Sequence, residues 1–241
     1  PDPQGGKIDR DERGEPTGIL RESAQGLVGD IVPTPTRDEI LDAIQREGIP
    51  YAHRHGITSI HNMTGTSSMY DGRDAVWAFQ VLKERGELNL RVLAQIPADE
   101  LEHAIALGIR SGFGDEWVRF GSVKMFADGT LGSQTALLFQ PFAGSTTNYG
   151  IAVTPLDECH RIIHRAIENG ISVAIHSIGD RANKEMLDIF EEERPLERGL
   201  RRWRRGLVAG DLAGRGELGP PRATAGDRCV AHGPGALARG G

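Results

Sequence analysis

An alternation of short apolar segments with amphipathic helical patterns runs along most of the chain and leaves few folds open to it. Four apolar segments predict strands, at Ile57–His61, Leu90–Gln95, Trp117–Phe126 and Ile171–His176. Helical patterns lie around them: one opened by a T-x-x-E capping box at Thr36–Glu39 and interrupted near Pro50, and others at Arg73–Arg85, Asp99–Leu107, Thr154–Gly170 and Asp180–Glu193.

Strands that alternate with helices form parallel sheets with right-handed crossovers, and such sheets bind ligands at the carboxyl ends of their strands. Neither the G-x-G-x-x-G nor the G-x-x-x-x-G-K-[ST] motif follows any predicted strand, which disfavours the nucleotide-binding sheets. We therefore predict an α/β fold, part of a (β/α)₈ TIM-type barrel, over residues 1–195.

Residues 196–241 have a different composition, with 11 glycines and 9 arginines and no sustained periodicity. Two interpretations are open: a flexible, disordered tail, or a GC-rich coding region translated in the wrong frame, which we favour. The chain begins at Pro1 rather than at a methionine, and we expect it to be the interior of a longer protein.

The charge of the chain limits the kinds of partner that it can bind, and its cysteine content indicates the redox state of its compartment. The net charge is −6, and the first 190 residues contain no block of like charge, so we expect neither nucleic acid nor a membrane surface as a partner. No apolar run approaches the roughly 20 residues of a membrane helix. Cys159 and Cys229 form no C-x-x-C motif, which favours a reducing cytoplasm.

Lys124 lies inside an apolar strand, where a charged amine is costly to bury. Burial lowers the pKa of a lysine, and the neutral amine can act as a nucleophile or take up carbon dioxide as a carbamate, an anionic metal ligand. The alternative is an edge-strand lysine whose amine reaches solvent. Asp128-Gly129 follows this strand and predicts a tight loop close to a ligand, although Asp-Gly is also a common turn.

His176 ends the last predicted strand and is followed by a polar, glycine-containing turn, which places it on the expected ligand-binding face. A neutral imidazole there is a natural metal ligand, and a purely structural histidine is the alternative. Asp180 and Arg181 follow at once, and Asp180 is equally a candidate helix N-cap. His61 ends an earlier strand in the same way, either lining the site or packed in the core.

Two other histidine pairs have simpler explanations than a metal site. His160 and His164 share one helical face but lack the glutamate of the H-E-x-x-H motif, so an amphipathic helix is the preferred interpretation. His53 and His55 lie near the predicted end of a helix, where the helix dipole favours them.

These segments, in this order, resemble the amidohydrolase 3 family, whose members include N-substituted formamide deformylase-like proteins. The resemblance covers residues 1–195 and is carried by Asp2–Ile8, Gly14–Gly18, Gly56–His61, Lys124–Thr135 and His176–Asn183. It implies a metal-dependent (β/α)₈ barrel with a small β-sandwich formed by the chain ends. It also implies hydrolysis of an amide-type C–N bond in a small molecule by metal-activated water.

The resemblance assigns roles to individual residues. Lys124 matches a lysine that is typically carboxylated and bridges two metal ions, and His176 matches a metal-binding histidine. One or two divalent ions are implied, with zinc favoured by the ligand types. We predict that His61, Asp128, Asp180 and Arg181 bind substrate.

Several features depart from the family pattern. The H-x-H of the first barrel strand, the histidine of the sixth strand and the aspartate of the last strand have no counterpart, and Gln134 stands where relatives often carry an arginine. We therefore expect an incomplete, inactive portion of a hydrolase. The alternatives are a barrel enzyme that forms a Schiff base on Lys124, a fragment that folds with a partner chain, and an unrelated small-molecule binding module.

Overall fold

The computed structural model describes residues 1–63, 73–194 and 196. It opens with an antiparallel hairpin of β1 (Gly6–Arg10) and β2 (Pro16–Glu22), followed by a 3₁₀ helix at Ser23–Ile31. The Asp11 carboxylate closes the hairpin turn by accepting hydrogen bonds from two backbone N–H groups. The alternating pattern that predicts the later strands does not reach this hairpin.

The rest of the described chain consists of strands joined by helices. The first helical region comprises α1 (Arg37–Ala43), a π-helical turn (Ile44–Gly48) and α2 (Ile49–Arg54). The following elements are β3 (Ser59–Asn62), α3 (Arg73–Glu84), β4 (Arg91–Pro97), a 3₁₀ turn (Ala98–Glu100), α4 (Leu101–Ala106), β5 (Val118–Phe126), α5 (Leu156–Glu168), β6 (Ser172–His176) and α6 (180–194).

The strands β3, β4, β5 and β6 form one parallel sheet in the order of the sequence. A doubly wound sheet would reverse its strand order at a switch point, and this sheet does not. The result is a mixed α/β fold with a curled, parallel half-barrel sheet. The predicted α/β class is confirmed.

The core lies between the sheet and its helices. One cluster joins Val123, Met125 and Ile175 on the sheet to the apolar face of α5, including Ile162 and Ile163. A second cluster joins the other half of the sheet to α1, α2 and α3; its most buried members are Ala78, Phe79, Leu82, Leu90 and Val92. Because side chains alternate along a strand, the neighbours of these core residues point to the opposite, inner face.

The inner face carries polar side chains in the middle of the sheet. Lys124, between Val123 and Met125, belongs to this face, and so do Phe126 and its registered neighbour His176. Gln95 is fully buried, and its side chain accepts a hydrogen bond of 2.8 Å from the Ser122 N–H where β4 and β5 shift register.

Some local predictions from the sequence are confirmed by the structure, and others are wrong. The capping box is confirmed, since the Thr36 side chain accepts from the Glu39 N–H and the Glu39 carboxylate accepts from the Thr36 N–H. The helix predicted from Thr154 begins later, at Leu156, with Pro155 at the N-cap position and no side-chain cap hydrogen bond. The predicted irregular tail lies, after its first residue, outside the described ranges. None of the described helices is long and apolar enough to cross a membrane.

Candidate active site

Lys124 and His176 lie on adjacent strands and share a contact with Phe126. The Lys124 Nζ lies 3.7 Å from the centre of the Phe126 ring, and the centres of the Phe126 and His176 rings are 5.3 Å apart. Phe126 and His176 are register partners in the β5–β6 pair. The structure therefore brings the two predicted metal ligands to one aromatic side chain near the carboxyl end of the sheet.

The Lys124 side chain is buried, with only 7% of its surface exposed. Its Nζ donates a hydrogen bond of 2.7 Å to the Met125 carbonyl. Burial lowers the pKa of this amine from 10.5 to about 8, so that roughly a tenth of it is neutral at pH 7. Because β5 lies between β4 and β6, the alternative of an edge-strand lysine is wrong.

His176 is half-buried, and the loop that follows β5 fixes its ring. Its Nε2 lies 2.9 Å from the Gly129 carbonyl oxygen, which can only accept, so Nε2 carries the proton. The lone pair of Nδ1 is then available to bind a metal ion, an arrangement common in metal-binding histidines.

The Asp128 carboxylate is completely buried and is held by the backbone. It accepts hydrogen bonds of 2.8, 2.9 and 2.8 Å from the N–H groups of Leu137, Ile178 and Gly179. These donors belong to two different loops, one after β5 and one after β6. Asp128 therefore joins the two loops at the strand ends, and contact with substrate would require its carboxylate to leave these donors.

Asp180 and Arg181 lie in the exposed first turn of α6. The Asp180 carboxylate accepts hydrogen bonds from the Phe139 and Arg181 N–H groups, at 3.0 and 2.8 Å, and so attaches the loop after β5 to this helix. The Arg181 guanidinium donates to Glu185 at 2.8 Å. Both residues border the strand ends, and their predicted role in substrate binding stays a prediction.

His61 is exposed near the end of β3. Because β4 separates β3 from β5, His61 lies two strands away from Lys124. The sheet thus presents three predicted site residues at its carboxyl end, with Lys124 and His176 together and His61 apart from them.

The N-terminal hairpin brings to the site two residues, Arg21 and Glu22, that no sequence pattern indicates. The Glu22 carboxylate accepts a hydrogen bond from the Thr135 hydroxyl, and the Arg21 guanidinium donates to the Ser133 carbonyl. Arg21 also pairs with Asp9, an interaction that holds the pKa of the Asp9 carboxyl below its usual value. The contacts with Ser133 and Thr135 connect residues more than 100 positions apart, and no local pattern could predict them.

The histidine pair of α5, His160 and His164, has a different environment. His160 lies 3.1 Å from Glu192, and His164 lies 3.1 Å from Glu193, across the contact between α5 and α6. Over residues 1–63 and 73–194, no group of three or more histidine, cysteine, aspartate or glutamate side chains is arranged to hold a metal ion. The two predicted metal ligands, Lys124 and His176, lie on neighbouring strands, and a lysine can bind a metal ion only as a neutral amine or as a carbamate.

Comparison with known proteins identifies what the chain resembles. Residues 1–212 match the family model described as the amidohydrolase family. The chain is 32% identical over 195 residues to Protein LONG AFTER FAR-RED 3 of Arabidopsis thaliana, and 33% identical over 195 residues to Putative amidohydrolase YtcJ of Bacillus subtilis (strain 168). The matches cover 79% and 81% of this chain, but only 33% and 36% of the relatives. The chain therefore spans about a third of the length of these curated relatives.

Two solved structures share the fold. They are uncharacterized metal-dependent hydrolases from Pyrococcus horikoshii OT3 and Pyrococcus furiosus, with TM-scores of 0.60 and 0.61 and sequence identities of 29% and 30%. The similarity covers 77% and 78% of this chain, and 37% and 38% of those chains.

Proposed function

Because this chain belongs to the amidohydrolase family, we propose that it is part of a metal-dependent hydrolase that cleaves non-peptide, amide-type C–N bonds in small molecules. We further propose that its half-barrel sheet is part of a (β/α)₈ barrel. The observation that carries the proposal is Lys124, a buried lysine of lowered pKa on the inner face, beside a histidine on the next strand.

The first proposed step is carboxylation of Lys124. The neutral amine attacks the carbon of carbon dioxide. An N–C bond forms while one C=O π bond breaks and its electron pair moves to oxygen, and the nitrogen loses a proton to solvent to leave a carbamate. The lowered pKa favours this step because it increases the neutral fraction of the amine near pH 7. The carbamate oxygens and the His176 Nδ1 would then be ligands of one or two divalent ions, with zinc suited to this set. A bound divalent ion would supply Lewis acidity and activation of water.

The surrounding residues have distinct proposed tasks. The Gly129 carbonyl keeps the His176 proton on Nε2, and the buried Asp128 carboxylate holds the loops on both sides of that histidine. Asp180 and Arg181, exposed at the border of the site, are proposed to contact substrate. Two ligands alone hold a metal ion weakly, so we propose that turnover needs further ligands from outside the described residues, on the same polypeptide or on a partner chain.

Carbamate formation on Lys124 can be measured directly. The full chain is incubated with ¹³C-bicarbonate and zinc, and the carbamate carbon is followed by ¹³C NMR. We expect a carbamate resonance in the wild type that is absent from Lys124→Met. Lys184→Met, which removes an exposed lysine paired with Asp188, is the matched control and should keep the resonance. A wild type without the resonance would contradict the proposed ligand role of Lys124.

The low pKa of Lys124 also supports a second candidate function, a Schiff base between this amine and a carbonyl substrate. Borohydride reduction in the presence of simple aldehydes and ketones, followed by mass mapping, distinguishes the two. Substrate trapped on Lys124 would favour the Schiff base. No trapping on Lys124, together with a carbamate resonance in the presence of bicarbonate, would favour the metal-dependent hydrolase.

A further inference from the structure

We propose that Glu22 is a positioning residue for His176. It would act through Thr135 and Gly129, by holding the loop after β5 in the conformation in which the Gly129 carbonyl accepts the His176 proton. The importance of this orientation for metal binding rests on the proposed function, whereas the coupling between Glu22 and His176 does not.

The β1–β2 hairpin contacts the loop after β5 through two neighbouring side chains. Arg21 and Glu22 are consecutive, and they bond to Ser133 and Thr135 respectively. The Thr135 hydroxyl is fully buried with its residue and also accepts a hydrogen bond of 2.9 Å from the Thr130 N–H. The hairpin therefore contacts the loop at the Ser133 carbonyl and at the buried Thr135 hydroxyl.

The second support is the close packing on Gly129. A Cβ atom on this glycine would overlap the Glu22 carboxylate and the Thr135 hydroxyl, so both groups lie directly against its backbone. The same glycine donates its N–H to the Thr135 carbonyl at 3.3 Å and offers its own carbonyl to His176 at 2.9 Å. One residue thus contacts Glu22 on one side and the candidate metal ligand on the other.

The third support is the backbone of Glu22 itself. Its φ is +48°, in the region that favours glycine, and the only other described non-glycine residue with a positive φ is Gln134, in the same contact zone. Strained residues of this kind persist when the surrounding structure requires them, and they concentrate at functional sites. Glycine would adopt this backbone with less strain, so what glutamate adds at this position is the contact of its carboxylate with Thr135.

A pair of substitutions separates the backbone of Glu22 from its carboxylate. Glu22→Gly relaxes the backbone and removes the carboxylate, whereas Glu22→Gln keeps an oxygen that can accept from Thr135. Glu12→Gly, in the exposed turn of the same hairpin, is the matched control. The tautomer of His176 is measured in the metal-free full chain by ¹⁵N NMR of its imidazole, with the resonances assigned by their loss in His176→Asn.

We expect Glu22→Gly to keep or raise the midpoint of thermal unfolding while the Nε2–H tautomer of His176 falls at least threefold relative to the Nδ1–H tautomer. Glu22→Gln should have a tautomer ratio of His176 close to that of the wild type, and Glu12→Gly should have the wild-type ratio. An unchanged tautomer ratio in Glu22→Gly would overturn the proposal, and so would an equal change in Glu12→Gly. If Glu22→Gly fails to fold, Glu22→Ala and Glu22→Gln replace it. A shifted tautomer ratio of His176 in Glu22→Ala, with a wild-type ratio in Glu22→Gln, would then support the proposal. No shift in Glu22→Ala would overturn it.

Zinc binding by the same variants keeps this result separate from the proposed function. With bicarbonate present, we expect Glu22→Gly to bind zinc about tenfold more weakly than the wild type. A wild type that binds no zinc would contradict the proposed function, while the tautomer ratios would still decide the coupling between Glu22 and His176.

Discussion

The contact between α5 and α6 and the carboxyl ends of β5 and β6 both combine histidine with acidic residues, and they differ in how those side chains are held. Across the contact of α5 and α6, His160 and His164 lie 3.1 Å from the carboxylates of Glu192 and Glu193. At the carboxyl ends of β5 and β6, His176 bonds to a backbone carbonyl, and no carboxylate of the described residues lies within ion-pair distance of Lys124.

The difference separates a structural cluster from a candidate active site. In the helix pair, side chains of opposite character satisfy one another, and no ligand is needed. At the strand ends, the backbone holds the polar groups in place and leaves the Lys124 amine and the His176 Nδ1 for a ligand. The H-x-x-x-H spacing is the more familiar metal-binding pattern, but Lys124 and His176, which the sheet brings to adjacent strands, are 52 positions apart.

Removing the carboxylate of Asp128 should have the largest effect, because it would leave three buried N–H donors facing an amide group. We expect Asp128→Asn to lower the free energy of unfolding by about 4 kcal/mol. Urea denaturation measures this change. Asp188→Asn, on the exposed face of α6, is the control and should cost less than about 0.5 kcal/mol. Similar losses in the two variants would show that Asp128 does not organise the strand ends.

Replacing Lys124 by methionine should stabilise the protein, because the wild type must desolvate an amine. The drop in pKa from 10.5 to about 8 corresponds to about 3 kcal/mol at pH 7 in metal-free buffer without carbon dioxide. Between pH 8 and 10.5 the unfolded chain holds more protons at this lysine than the folded chain, so wild-type stability rises with pH across that window. The advantage of Lys124→Met should therefore fade from pH 8 to pH 10.5.

Lys184→Met, followed under the same conditions, is the control for the desolvation of Lys124. Its amine is exposed and paired with Asp188, so we expect a change within about 0.5 kcal/mol at every pH. A stability gain in Lys124→Met that persists unchanged above pH 10.5 would show that improved packing, rather than desolvation of the amine, is responsible.

The smallest effect is expected in the helix pair. Glu193 is buried and bonded to His164, but glutamine can still bond to the imidazole. We expect Glu193→Gln to lower the free energy of unfolding by about 1 kcal/mol. Thermal unfolding of this variant, with exposed Glu191→Gln as its control, measures the cost. A loss as large as that of Asp128→Asn would show that the two regions are not as different as their contacts suggest.

The sequence predicts those parts of the fold that depend on neighbours along the chain. The capping box at Thr36, the strand that ends at His176 and the polar position of Lys124 in an apolar strand are all visible as local patterns. The parallel pairing of the strands follows from their alternation with helices, because each crossover helix returns the chain to the same direction. Their consecutive order in the sheet does not follow from that alternation, since doubly wound sheets share it.

The remaining features depend on contacts between distant segments. The contact of Glu22 with Thr135 and the three donors of Asp128 arise only once the loops and the hairpin have met. Gln95 is similar, since its burial is explained by a bond to the backbone of the next strand at a shift in register. Sequence alone therefore predicts which residues lie at the strand ends but not what holds them there.

Zinc titration of the full chain by calorimetry, in the presence of bicarbonate, tests most directly whether the strand ends, rather than the helix pair, form the metal site. We expect His176→Asn and Lys124→Met each to weaken binding at least tenfold, or about 1.4 kcal/mol, whereas the double variant His160→Gln/His164→Gln should bind as the wild type does. Binding that survives in His176→Asn and disappears in the double variant would show that the helix pair is the metal site.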